Sequence, residues 1–221
     1  SARPPRPQPA PPQPPATVSQ SQPATGQAQV PPALSAKGRG EITGTVTIRG
    51  KVEPAVKDAV LWVAGVPRQL IPKERLKPGV AAMEQKDIAF VPHVLPVLVG
   101  TTVNFPNDDP VFHNVYSASP VHKFDLGLYP QGRSRSTQFD QPGIAHIGCN
   151  VHAQMSGYVV VLAEPFFAVP NERGVYQLGG LPLGTYTIKL WDPDFAPVSQ
   201  PFTLTRDGEV LNLDFDLGEE K

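Results

Sequence analysis

The residues Gly148-Cys149-Asn150-Val151-His152-Ala153-Gln154-Met155 place the only cysteine of the 221-residue chain three positions before a histidine and six before one of its two methionines. One short loop can therefore offer a thiolate, an imidazole and a thioether. Upstream, Phe112-His113-Asn114-Val115 offers a second imidazole at the start of another predicted strand. Two nitrogens and a thiolate around one metal, with a distant thioether on the axis, form the donor set of an electron-transfer copper site. Thiolate and thioether favour Cu(I), whereas imidazole suits both oxidation states, so the set holds the metal in a compromise geometry. Little has to move when one electron arrives or leaves.

Such donors need elements that bring them to one point. The cysteine, the second histidine and the methionine must converge from a loop, and His113 must come from a neighbouring strand to complete the set. Side chains alternate across a strand, so a Cys149 that points inward takes Ile147 and Ala145 with it and turns His146 and Gly148 outward. His146 is accordingly not expected among the ligands.

The stretch from about Gln85 to Leu162 resembles a cupredoxin, the small blue-copper fold of plastocyanin, pseudoazurin and amicyanin. The resemblance is carried by Phe90-x-Pro92, Gly100-x-x-Val103-x-Phe105-x-Asn107, His113-Asn114, Phe139-x-x-x-Gly143, the Cys149 loop and Gly157-Tyr158-Val159-Val160-Val161, in that order. It implies a Greek-key β-barrel or sandwich holding one copper ion, cycling between Cu2+ and Cu+. His113, Cys149 and His152 would lie in the plane and Met155 on the axis. Asn114 would tie the two ligand segments together, and Ala153 stands where a proline often follows the second histidine. The resemblance further implies that electrons leave at His152, under a thin apolar patch that here comprises Val151, Ala153 and Pro110. Transient redox protein partners and a periplasmic location belong to the same expectation.

A lone cysteine is ordinarily a buried small hydrophobe, and scattered histidines are ordinarily unrelated to metals. The joint occurrence of the loop, the His113-Asn114 strand and the flanking pattern is what turns these residues into candidates. His93, His122 and His146 are read as structural, with His122 in a loop that could line a partner surface; Met83 receives no role. An enzyme is not expected. Multicopper oxidation needs a second histidine-rich cluster, which five histidines cannot build beside the first site, and no oxyanion loop accompanies the thiol as a nucleophile. Two other readings use the same residues: copper storage or delivery, and a cell-envelope interaction module with a secondary copper centre.

Composition sets the remaining bounds. A single cysteine excludes an intramolecular disulfide. No run of eighteen apolar residues forecasts a membrane span, and no apolar leader opens the sequence, which points to a processed or trimmed form. With a formal net charge of −1 and no basic stripe interleaved with aromatics, nucleic acid is not an expected partner. Residues 1–34 hold eleven of the 28 prolines and almost no large apolar side chain. Such a stretch cannot offset its ordering entropy, so residues 1–37 are expected to form a disordered, extended linker. It would serve as an envelope or membrane tether, or through Arg3-Pro4-Pro5-Arg6-Pro7 as a docking arm.

From Gly38 onward the pattern is all-β. Ile42, Val46 and Ile48 alternate with polar residues, Ala59 to Val63 reads as a short buried strand, and Pro67 to Val80 as a connection. Alternation returns in Tyr186, Ile188 and Leu190 and in Leu211, Leu213, Phe215 and Leu217. The run Gly174 to Tyr186, with Gly44-Thr45-Val46 and Ala59-Val60-Leu61, resembles a carboxypeptidase regulatory-like domain, a small transthyretin-like or immunoglobulin-like β-sandwich. The expected organisation is therefore a linker at 1–37, the first part of this sandwich at 38–80, an inserted copper domain at 81–163 and the rest of the sandwich at 164–221, with tandem domains as the alternative. Similar arrangements occur among bacterial proteins named for methylamine utilisation.

Overall fold

A computed structural model describes residues 39–218. The expectations for 1–37, including the docking stretch, and for the start at Gly38 lie outside the described residues. Among the described residues the chain is all-β, with three 3-10 turns and eighteen strands, numbered here in chain order. No helix among them is long and apolar enough to cross a membrane.

Two sheets enclose one core. In the first, β1 (Arg39–Ile48) lies between β14 (Val175–Pro182), which it meets antiparallel, and β17 (Val210–Asn212) and β18 (Phe215–Leu217), which it meets in parallel. Every second residue of β1 is buried, so the period-2 pattern of its sequence sets its inward face. Gly44 is required there, because a Cβ would run into the backbone oxygen of Leu213. The second sheet has the order β13 (Phe167–Ala168), β2 (Val60–Ala64), β15 (Gly184–Trp191) and β16 (Val198–Leu204), all antiparallel. Ile42, Val46, Leu61, Tyr176, Ile188 and Leu190 fill the space between these sheets. Its residues come from both ends of the described chain. The connection after β2 forms two 3-10 turns, Arg68–Leu70 and Lys73–Leu76, and covers this core with Val66 and Ile71.

A second core is made of residues between Met83 and Val161. Its larger sheet has the order β6 (Val94–Leu98), β12 (Ser156–Leu162), β11 (Gly143–Gly148), β8 (His113–Ser117) and β9 (Phe124–Tyr129), with β6 parallel to β12 and the rest antiparallel. Facing it are β10 (Ser134–Phe139), β7 (Thr101–Pro106) and β3 (Val80–Ala82), together with a hairpin of β4 (Glu84–Lys86) and β5 (Ala89–Val91). Phe105, Phe139, Ile147 and Val159 pack between them.

A third apolar cluster joins the two cores. Val94, Val160 and Leu162 from the larger sheet meet Val60 and Trp191 from the β2–β15 sheet, and the Tyr158 and Trp191 rings lie 5.4 Å apart, edge to face. Beside them the His93 ring holds the Asp58 carboxylate at 2.9 Å. The copper-candidate region is thus packed, through the outward face of β12, against the flanking sheets.

Candidate metal centre

The loop between β11 and β12 places its donors by short local rules. Ala145 and Ile147 are fully buried and His146 is exposed, so β11 delivers Cys149, 4% exposed, to the inside at its end. Gly148 precedes it because a Cβ there would meet the Tyr116 ring at 2.9 Å. The chain then turns over His152 to Met155, closed by the Met155 N–H donating to the His152 carbonyl at 2.9 Å. Met155 is 2% exposed and lies in the same apolar cluster as Cys149. Asn114 links the two segments: its Oδ1 accepts from the Asn150 amide at 3.2 Å, while its Nδ2 donates to Asp125 at 2.6 Å.

His113, at the first position of β8, is wholly buried. Its Nδ1 lies 3.9 Å from the Cys149 sulfur and 3.1 Å from Nδ1 of His152, which is partly exposed. One donor atom from each of the three residues falls within 4.8 Å of the others, the single such cluster of three or more among the described residues. Nδ1 of His113 is left as the acceptor of the ring, because Nε2 is 2.8 Å from Asp109 Oδ2 and an ionised carboxylate can only accept. Burial opposes the charge on Asp109. The amide of Ile88, the His113 ring and the amide of Asp87 outweigh it and hold the carboxyl below its ordinary range.

These donors fit a metal ion. Metal bonds of about 2.0–2.1 Å to imidazole nitrogen and about 2.3 Å to thiolate sulfur let one ion bridge His113 Nδ1 to His152 Nδ1 at 3.1 Å and to the Cys149 sulfur at 3.9 Å. A nitrogen lone pair aimed at a second imidazole nitrogen and a thiol, at the rim of an apolar core, also has no protein donor to satisfy it other than those two groups. A thiolate with two imidazoles suits a transition metal and not magnesium or calcium, which take oxygen ligands.

The remaining histidines are engaged elsewhere. His93 pairs with Asp58, His122 contacts the Thr137 hydroxyl at 2.9 Å beside the Phe124 and Phe139 rings, and His146 contacts the Ser156 hydroxyl at 2.8 Å. Met83 is fully buried in the second core. The sequence reading assigned no role to Asp109, Asn107 or the β4–β5 turn. The one signal for Asp109 was its place four residues before His113 in a turn rich in Asn and Asp, a composition that more often marks a plain loop.

No protein-family model matches the sequence, and no curated protein matches it. Over part of its length the chain is similar to solved structures of amicyanin. One is a reduced mutant at 21% identity and a TM-score of 0.36, covering 46% of this chain and 98% of amicyanin; an oxidised mutant matches at 22% identity with the same coverage and TM-score. It is also similar to the copper-containing nitrite reductase (NirK) from Thermus scotoductus SA-01, at 25% identity and a TM-score of 0.36, covering 39% of this chain and 22% of the reductase. The solved structures to which this chain is similar are thus cupredoxins, and the described residues hold the cluster of His113, Cys149 and His152.

Proposed function

We propose that this protein is a blue copper electron carrier of the periplasm, with His113, Cys149 and His152 as in-plane ligands of one copper ion and Met155 as its axial ligand. The observation that carries the reading is the meeting of two imidazole nitrogens and the sole thiol within 4.8 Å at the wall of an apolar core. Copper bound there supplies a one-electron couple, Cu2+/Cu+. The protein's own part is to hold the donors still and dry. Asp109 orients His113, Asn114 ties β8 to the ligand loop, and the packed core excludes water from Cys149. His152 provides the way in and out for electrons, since its neighbour Val151 is 48% exposed and Phe112, beside His113, is 56% exposed. An apolar rim of this kind favours brief docking with a redox protein, which a carrier must release quickly.

A carrier is favoured over an enzyme because His93, His122 and His146 each have another partner, which leaves no histidines for a second metal cluster. The flanking sheets are read as a carboxypeptidase regulatory-like, transthyretin-like sandwich (38–80 and 164–221) into which the copper domain (81–163) is inserted. The segment 1–37 is read as its tether to the envelope. The test is a visible spectrum with copper quantitation after Cu(II) addition. One copper per chain and an intense band that bleaches reversibly on reduction are expected; stoichiometric copper without that band would overturn the proposal.

Copper storage or delivery is a second reading, favoured by the partial exposure of His152. Rapid loss of the metal to a strong chelator would select it, and slow loss would select the carrier.

A further inference from the structure

We propose that the turn Asp87-Ile88 and the Asp109 carboxylate form a brace that positions the His113 ring and tilts the site toward the oxidised ion, a role that rests on the copper-carrier reading. The turn is the unusual feature. Asp87 and Ile88 have φ of 55° and 57°, the left-handed region that a β-branched residue such as isoleucine strongly avoids. A hairpin needs positive φ at both central positions of such a turn, yet Asn-Gly would supply it at far less cost. Strain that persists at a place where a cheaper residue exists points to a functional constraint.

The consequence of this backbone is that two successive N–H groups converge on one carboxylate. Asp87 and Ile88 donate to the two oxygens of Asp109 at 2.7 and 2.9 Å, and the oxygen that takes the Ile88 amide also faces His113 Nε2 at 2.8 Å. Asn107 secures the other side. Its Oδ1 accepts from the Asp109 amide, and its Nδ2 donates to the carbonyls of Val111 and Tyr129. Asp109 is 6% exposed and His113 wholly buried, so neither partner is diluted by solvent. The brace therefore dictates which His113 nitrogen carries the proton and leaves Nδ1 for the metal before any metal arrives. A negative charge one ring away from the metal also favours the more positive oxidation state.

The experiment compares wild type, Asp109→Asn and Asp109→Glu, copper-loaded for redox titration and metal-free for amide hydrogen exchange. In Asp109→Asn, copper affinity should fall about 10–100-fold, as is usual when the outer partner of a ligating histidine is lost. If Cu(II) suffers tenfold more than Cu(I), the potential rises by about 59 mV. Asp109→Glu should recover part of that shift. Metal-free Asp109→Asn should lose exchange protection selectively at Asp87 and Ile88. Should that variant not fold, Asp109→Ser carries the same expectations. A copper-loaded Asp109 variant with wild-type affinity and potential overturns the brace even if its unfolding midpoint falls. Absence of a visible band in wild type would sink the carrier reading instead, and unchanged exchange at Asp87 and Ile88 would still overturn the brace without any metal.

Discussion

The two cores of this molecule differ most in what they keep polar inside. Buried polar side chains between Gln85 and Ser117 include Gln85, Asn107, Asp109, His113 and Asn114, all in the region that carries the candidate ligands, whereas the flanking sheets bury Asp192. The flanking core is sealed by Ile, Leu, Val and aromatic residues, and its stability follows from apolar area. The ligand region instead holds a network in which Tyr129 donates to the Phe105 carbonyl, Gln85 donates to Tyr129, and Asn107 and Asp109 lock the approach to His113. Burying such groups is favourable only when they are paired, and although Gln85 Oε1 has no partner, the paired groups around it hold one another in fixed orientation. One core is built to be stable and the other to hold donors in place.

The largest test of that contrast removes the thiol. Cys149→Ala should abolish the intense visible band and most copper binding while far-ultraviolet circular dichroism stays that of wild type; a variant that keeps the band would break the assignment of the site. In the other core, Ile188→Ala should cost about 2–5 kcal/mol in denaturant unfolding, the usual range for a fully buried large aliphatic. The spectrum of the folded, copper-loaded protein should not move, because Ile188 belongs to the apolar core alone. A shifted band would show that the two cores are not separable in this way.

Met155→Gln addresses the ligand region more gently. An amide oxygen is a harder donor than a thioether and favours Cu(II), so colour should persist while the potential falls; an unchanged potential would remove Met155 from the ligand set. The smallest effect lies at the seam. The Asp58 hydrogen bond raises the His93 pKa above its ordinary 6.5, against the opposing effect of burial, and Asp58, Asp194 and Asp192 supply further attraction. A folded value above the unfolded one means that this stabilisation is complete below pH 6.5 and fades as pH rises through the raised value. Wild type should thus lose a modest part of its stability on passing from mildly acid to alkaline pH. His93→Gln should flatten that part of the profile, and an identical slope in both proteins would deny the pair any role.

Much of the strand content was legible because alternation reports facing directly. Ile42, Val46 and Ile48, and again Ile188 and Leu190, lie buried where their period-2 spacing puts them, and His146 faces out because Cys149 faces in. Leu211 to Leu217 shows the limit of that signal. Its alternation reads as one strand, but the chain breaks at Leu213-Asp214 into β17 and β18. There the Leu213 carbonyl accepts from the Tyr176 hydroxyl at 2.5 Å and Asp214 accepts from the Thr45 amide at 2.7 Å. Spacing says which way a side chain points and nothing about which backbone groups pair.

The types and order of the candidate donors, the short span from Cys149 to Met155 and the all-β character are properties of the linear chain, since each depends on neighbours a few residues apart. Tertiary structure alone decided the parallel register of β1 against β17 and β18, that Tyr158 meets Trp191, and that the amides of a strained turn at Asp87-Ile88 reach the Asp109 carboxylate behind His113. Those contacts join residues distant in sequence, and their energy comes from desolvated pairing in three dimensions, for which a local pattern carries no mark.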